Sequence, residues 1–256
     1  MTDKSYFERD NFKLYKGDSF KILKRFDRNQ FDMIFLDPPY FLSNGGITVQ
    51  SGKMVNVNKA TWDENMSQTK KLEYFSHMIS TAKNLLKDTG TIWISGTFHN
   101  IYYVGVALEN NGFKIINNIT WKKTNPPPNL SCKSFTHSTE TILWAKRSEL
   151  KKHTFNYQEM KKINEGKQMK DVWEFPLTKK SEKRNGKFPT QKPLSLLNRI
   201  ILASTNENDK VLDLYNGSGT TVISCLINNR RYVGIDLEKE YLELTIKRFQ
   251  ELEGKT

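Results

Sequence analysis

Cysteine is scarce in this chain. There are two in 256 residues, Cys132 and Cys225. They lie far apart with no CxxC spacing, which excludes a disulfide framework and a cysteine zinc site and points to a reducing, cytoplasmic setting. Histidine is nearly as sparse: His99, His137 and His153 have no ligand-like spacing, so no metal is expected. Long apolar runs are missing too. None approaches the roughly 18 residues of a membrane span, and the opening stretch MTDKSYFERDN is polar, with no apolar signal region. No membrane partner is expected. What the chain has in excess is positive charge: 40 Lys and Arg against 28 Asp and Glu, a formal net charge of +12. That balance suits a polyanionic partner, nucleic acid above all.

Apolar runs and helical periodicities alternate along the chain. Phe12 to Tyr15, Asp32 to Leu36, Thr91 to Ser95, Phe113 to Trp121, Thr141 to Ala145, Lys210 to Leu214 and Arg231 to Ile235 read as strands. Ser19 to Phe26, Gln68 to Leu86, Ile101 to Glu109, Pro193 to Ser204, Thr220 to Asn228 and Glu238 to Leu252 read as helices. Residues 43–59, rich in Ser, Asn and Gly, read as a long loop. From Arg147 to Lys192 periodicity fades and lysines gather; residues 151–192 hold 12 Lys or Arg against 5 Asp or Glu. Trp121, Trp144 and Trp173 are assigned to the core. The alternation predicts an α/β fold: a three-layer, doubly wound, mostly parallel sheet with helices on both faces. Ligands of such sheets lie beyond the carboxyl ends of the strands, where the strand order reverses.

Two motifs carry chemistry. In Asp213-Leu214-Tyr215-Asn216-Gly217-Ser218-Gly219-Thr220-Thr221, set between a strand and a helix, the glycines let the backbone approach a ligand and the helix start offers free N–H groups. Asp236, 19 residues beyond Gly217, ends the next strand, where a carboxylate accepts hydrogen bonds from both hydroxyls of a ribose. The second motif, Asp37-Pro38-Pro39-Tyr40, follows an apolar strand. It suits an aromatic amino group, a poor nucleophile because its lone pair is delocalised into the ring. The Asp37 carboxylate and the Pro38 carbonyl are two acceptors for its hydrogens, drawing nitrogen toward tetrahedral geometry. Pro38 and Pro39 stiffen the backbone and so aim that carbonyl. Tyr40 offers a flat face on which an extruded base stacks.

Asp-Pro-Pro-Tyr after a hydrophobic strand, with Asn-Gly-Ser-Gly-Thr-Thr later, resembles the amino-methylating DNA methyltransferases. The catalytic motif comes first and the cofactor motif second, as in the β-group of N6-adenine enzymes. The resemblance spans nearly the whole chain. It implies a circularly permuted Rossmann-like fold, S-adenosylmethionine as methyl donor, and one domain over residues 1–256: a catalytic half at 1–146, a cofactor half at 193–256, and a target-recognition insertion at about 147–192. Lys192-Pro193 and the apolar residues after them are similar to the family's cofactor-pocket helix, and the family pattern also brings Asp37 near the cofactor's ammonium group. Residues 122–128 resemble a segment near the flipped base. In this permuted order the strand ending at Gly17 lies beside the one ending in Asp236. Asp18 and Ser19 then join the cofactor site, with Asp18 accepting from the cofactor's adenine amino group. The strand carrying Asp37 lies on the other side of the glycine strand, so Asp37 and Gly217 meet at the switch point.

Residues 37–46 (DPPYFLSNGG) and 58–63 (NKATWD) resemble, more narrowly, the second methyltransferases of DpnII-type restriction systems. That likeness implies GATC as target, in double-stranded and also single-stranded DNA, and is compatible with a homodimer. Leu214-Tyr215-Asn216 departs from the family, which more often has Pro-Phe and a variable residue there. Three rivals are separable by residue. Cytosine-N4 relatives usually carry Ser in place of Asp37. Cytosine-C5 transfer needs a nucleophilic cysteine, commonly after proline, whereas Cys132 and Cys225 each follow serine. An RNA methyltransferase remains an alternative, disfavoured by the basic insertion and permuted order. A non-catalytic nucleic-acid-binding subunit, the rival from another class, is disfavoured by two intact motifs.

Overall fold

Each apolar run becomes a strand and most periodic segments become helices. The computed structural model describes residues 4–40, 67–186 and 188–254, and the backbone of 47–50 and 53–56. In chain order the first half runs β1 (Phe7–Arg9), β2 (Phe12–Lys16), α1 (Ser19–Leu23), β3 (Phe31–Leu36), β4 (Ile47–Gln50), β5 (Lys53–Asn56), α2 (Gln68–Leu85), β6 (Leu86–Gly96), α3 (Ile101–Asn110) and β7 (Lys114–Lys123). Then follow β8 (Thr139–Lys146), α4 (Tyr157–Ile163), β9 (Val172–Phe175), α5 (Leu194–Ser204), β10 (Lys210–Asp213), α6 (Thr220–Ile227), β11 (Arg231–Asp236) and α7 (Lys239–Glu253).

Nine strands form one sheet in the order β1-β2-β11-β10-β3-β6-β8-β7-β9. The run from β2 to β6 is parallel, while β8 pairs antiparallel with both β6 and β7. From β10 the chain crosses through α6 to β11 on one side; from β3 it crosses through α2 to β6 on the other. The order therefore reverses between β10 and β3, and the carboxyl ends of those two strands frame a crevice.

Strand alternation feeds two cores. Ile34 and Leu36 of β3 face a cluster containing Phe75 and Ile79 of α2 and Val104 and Leu108 of α3. Met33 and Phe35 face the opposite cluster, with Leu197 and Ile201 of α5, Val222 of α6 and Phe249 of α7. Each such side chain, fully buried, contributes about 1.5–3 kcal/mol. Trp121, Trp144 and Trp173 lie in the second core, as the sequence reading expected.

Three features depart from the sequence reading. β1 adds an antiparallel edge strand to β2. Residues 43–59 are not all loop, since β4 and β5 pair antiparallel with Gln50 opposite Lys53. The rest of that stretch, with 41–46 and 58–63, lies outside the described residues. Finally, the basic stretch 147–192 supplies β9, which pairs in parallel with β7 at the sheet edge. It also supplies α4, whose Met160 is buried. Four residues with a single buried tryptophan are too short a pattern to stand out among lysines.

Candidate functional site

The site begins where β3 and β10 end. Asp213 pairs in register with Phe35, so both chains leave the sheet side by side, one into Asp37-Pro38-Pro39-Tyr40 and the other into the glycine loop. The loop reverses by placing Gly217 and Gly219 at φ of 50° and 73°, a left-handed region costly for side-chain-bearing residues. At Gly219 a Cβ would come within 2.5 Å of Thr245 on α7, so the loop and α7 pack without a gap. The Asn216 amide N–H donates to the Ile235 carbonyl at 2.9 Å and that of Gly217 donates to an Asp236 carboxylate oxygen at 2.7 Å. The other Asp236 oxygen accepts from Glu238 N at 2.9 Å. Burial pushes the Asp236 carboxyl up to about 6, against the lowering effect of these two amides.

Beside Asp236, β2 exits through Gly17 into α1. Asp18 caps that helix, accepting from Lys21 N at 2.9 Å, and Ser19 Oγ donates to the Leu214 carbonyl at 2.7 Å. Asp18, Ser19, Gly217 and Asp236 thus share one side of the crevice.

On the other side lies a cluster of charges. Lys192 Nζ sits 2.8 and 2.7 Å from the two Asp37 oxygens and 2.7 Å from the Tyr40 hydroxyl. Tyr40 and Ser95 both donate to Asp37 Oδ1, at 2.8 and 2.5 Å. Glu140, at the start of β8, holds Lys123 at 2.9 Å and stands 3.5 Å from Lys192 and 3.3 Å from the Tyr40 hydroxyl. Side-chain exposure is 6% for Lys192, 15% for Asp37, 11% for Glu140 and 13% for Lys123, so the cluster is largely out of water. Burial alone would strip the proton from Lys192, but Asp37, Tyr40 and Glu140 hold its pKa well above the ordinary value. Burial likewise pushes Glu140 up, and Lys192 and Lys123 outweigh it, leaving its carboxyl below the ordinary range. Burial, then Asp37 and Glu140, raises the Tyr40 hydroxyl well above 10.

The fold thus brings Asp37, Tyr40 and Lys192 into contact and sets Asp18, Ser19, Gly217 and Asp236 nearby. Pro38 is buried, and buried Pro193 stands at the start of α5. Other motif residues turn inward. Asp213 is 1% exposed and accepts from Tyr215 N at 2.9 Å; burial raises it to about 7. Asn216 donates to Thr245 Oγ1 at 2.8 Å. Ser218, Thr220 and Thr221 are buried, with Arg248 donating to the Ser218 carbonyl and Thr220 Oγ1 at 2.6 and 3.0 Å. Tyr215, where the sequence departs from the family, meets the Tyr74 hydroxyl at 2.5 Å. Phe188 lies against Gly217, whose Cβ would come within 3.0 Å of its ring. Sequence reasoning missed Ser95, Glu140 and Phe188, and reached Lys123 only as part of the segment 122–128. The one signal for Glu140 was a charged residue opening an otherwise apolar strand. Among the described residues no group of three or more His, Cys, Asp or Glu is arranged to hold a metal, and no helix is long and apolar enough to cross a membrane.

The model of a DNA methylase family matches residues 31–247. The chain is 56% identical over 251 residues to the type II methyltransferase M2.DpnII of Streptococcus pneumoniae, covering 98% of this chain and 94% of that one. It is 55% identical over 249 residues to M2.LlaDCHI of Lactococcus lactis subsp. cremoris, covering 97% and 93%. Among solved structures, the complex of M1.HpyAVI with S-adenosylmethionine superposes with a TM-score of 0.68 at 29% identity, over 93% of this chain and 99% of that one. The cytosine-N4-specific PvuII DNA methyltransferase superposes with a TM-score of 0.77 at 16% identity, over 96% and 89%, a likeness of fold.

Proposed function

The chain belongs to the DNA methylase family and is similar throughout to type II restriction-modification methyltransferases, and from that premise we propose that it methylates N6 of adenine in GATC. S-adenosylmethionine is the methyl donor of this family, and the crevice suits it chemically. At one end both Asp236 oxygens accept backbone amides, and an ionised carboxylate, with about four acceptor positions, can also accept from ribose hydroxyls. At the other, Lys192 and Asp37 match the carboxylate and ammonium of an amino-acid zwitterion. When bound, the donor supplies an electrophilic methyl group on a sulfonium. Asp18, Ser19 and the loop from Asp213 to Thr221 complete its pocket, and Lys192-Pro193 leads into the helix behind it.

The observation that carries the adenine reading is the acceptor pattern at Asp37. Its Oδ1 accepts from Lys192, Tyr40 and Ser95, whereas among the described residues Oδ2 accepts from Lys192 alone. Oδ2 therefore has room for one hydrogen of an exocyclic amino group, and the Pro38 carbonyl takes the other. Holding both hydrogens in fixed acceptors draws the lone pair out of conjugation and converts encounter into positioned attack. The ring of Tyr40 supports the extruded base. Lys192 meets Tyr40 at its hydroxyl, 2.7 Å away, beyond the ring edge, and the base stacks on a ring face. The methylated nitrogen then sheds a proton. The target sequence follows from the likeness to the M2.DpnII type, and phosphate contacts fall to the basic stretch 147–192.

The test is incubation with methyl-labelled donor and DNAs with and without GATC, single- and double-stranded. Label accumulates in N6-methyladenine of GATC-containing DNA, and Asp37→Ala removes transfer while donor binding stays largely intact. Label confined to cytosine, to RNA, or to DNA lacking GATC overturns the proposal.

A further inference from the structure

Glu140 is buried against the transfer site although neither motif contains it. It opens β8, the strand that runs against its neighbours, so its residue lies at the carboxyl ends of the parallel strands where Asp37 and Tyr40 lie. Its two oxygens are divided: one holds Lys123 at 2.9 Å, the other faces the Tyr40 hydroxyl at 3.3 Å and Lys192 at 3.5 Å. Two carboxylates and two ammonium groups, Asp37, Glu140, Lys123 and Lys192, thus sum to zero in a space with little water.

Methyl transfer places positive charge on the attacked nitrogen, next to Asp37. An ammonium 2.7 Å from that carboxylate opposes it, and a second one close by adds to the opposition. In a dry site such charges act at a low effective dielectric and are poorly screened. We propose that Glu140 is a positioning residue for transfer: it neutralises the Lys123–Lys192 pair, so that Asp37 keeps its full charge for the substrate amino group. Glu140 also stands ready to take Lys192, which needs to move by less than about 1 Å to reach ordinary ion-pair contact.

This inference rests on the transfer reading above. The methylated base is therefore identified first with the unaltered protein, and the variants are compared on that product. The measurement is the single-turnover transfer rate at saturating DNA and donor, with DNA affinity measured separately. Glu140→Gln leaves one buried cation uncompensated; its rate falls about 10- to 100-fold while DNA affinity shifts by less than about threefold. The double variant Glu140→Gln with Lys123→Met restores neutrality and recovers most of the lost rate. A purely structural role for the Glu140–Lys123 pair predicts that the double variant is as slow as the single one. That outcome overturns the inference, as does wild-type transfer by Glu140→Gln. Where Glu140→Gln fails to fold, the double variant alone decides, because a folded but slow double variant is equally fatal.

Discussion

Removing Lys192 should expose how much of this site is held by charge. In Lys192→Met the stem is replaced by apolar bulk, but both Asp37 oxygens lose a donor at 2.7–2.8 Å and Glu140 loses a cation at 3.5 Å. Breaking a buried ion pair by deleting one partner costs about 3–5 kcal/mol, because the remaining charge stays desolvated. In a chain of this size each kcal/mol moves Tm by about 2–4 °C, so the deficit is about 6–20 °C. The stranded Glu140 carboxylate has a way out, which is to bind a proton. Lys192 is one of the cations that keep Glu140 below its ordinary pKa against burial; without it, the folded-state value rises. The folded variant then binds a proton more readily than the folded unaltered protein does, which relieves the deficit as pH falls. The deficit relative to the unaltered protein is therefore largest at about pH 8 and shrinks toward about pH 5.5. Thermal unfolding followed by circular dichroism at both values checks this. A drop smaller than about 2 °C at the higher pH, or an equal drop at both, refutes the reasoning.

Gly219→Ala strains a left-handed residue, costing about 1–2 kcal/mol. It also drives a Cβ to 2.5 Å from Thr245, an overpacking of about 1–3 kcal/mol. A Tm loss of about 5–15 °C is expected by calorimetry, with Thr245→Ser giving little relief because the Cβ and Oγ contacts persist. Asp236, raised to about 6 by burial, accepts ribose hydroxyls best when ionised, so donor affinity measured calorimetrically weakens about tenfold between about pH 7.5 and about pH 5. Asp236→Asn binds more weakly and lacks this part of the pH dependence; an equally steep profile in the variant would remove Asp236 from the pocket.

The skeleton of the fold was legible because its elements are strongly patterned. MIFL of β3 is a continuous apolar run of the kind that a doubly covered strand requires, KVLDL is a shorter apolar-rich one, and the glycine loop and the paired prolines mark where those strands end. Adjacent tips for Asp37 and Gly217 follow from strand order alone, and the register of Asp213 with Phe35 realises that order. Legibility stopped where a side chain's role depends on a partner far away in the sequence. Lys192 was singled out by resemblance, with nothing in its neighbourhood to say that it would meet Asp37, 155 positions away. Ser95 gave no local signal, Glu140 gave only a charged residue near the start of an apolar strand, which any half-covered strand shows, and Lys123 came in only with the resemblance of 122–128.

The glycine loop shows the opposite error of resolution. A motif read as one contact surface separates into two layers. Gly217 turns its amide to Asp236, while Asp213, Thr220 and Thr221 face inward, and Asn216 bonds to Thr245 of α7. Spacing cannot distinguish these layers, because loop residues that touch a ligand and those that hold the loop in shape alternate within a few positions. Burial separates them. Asp213, raised to about 7 in a fully enclosed position, costs the fold stability as an anion and repays that by accepting the Tyr215 amide. Its contribution to the pocket is then the shape of the turn, and substitution there should act on donor affinity through loop geometry. At Asp236 substitution acts through a lost acceptor instead. Comparing the pH dependence of donor binding in Asp213→Asn with that in Asp236→Asn separates the two: the first keeps the weakening below about pH 6 and the second loses it.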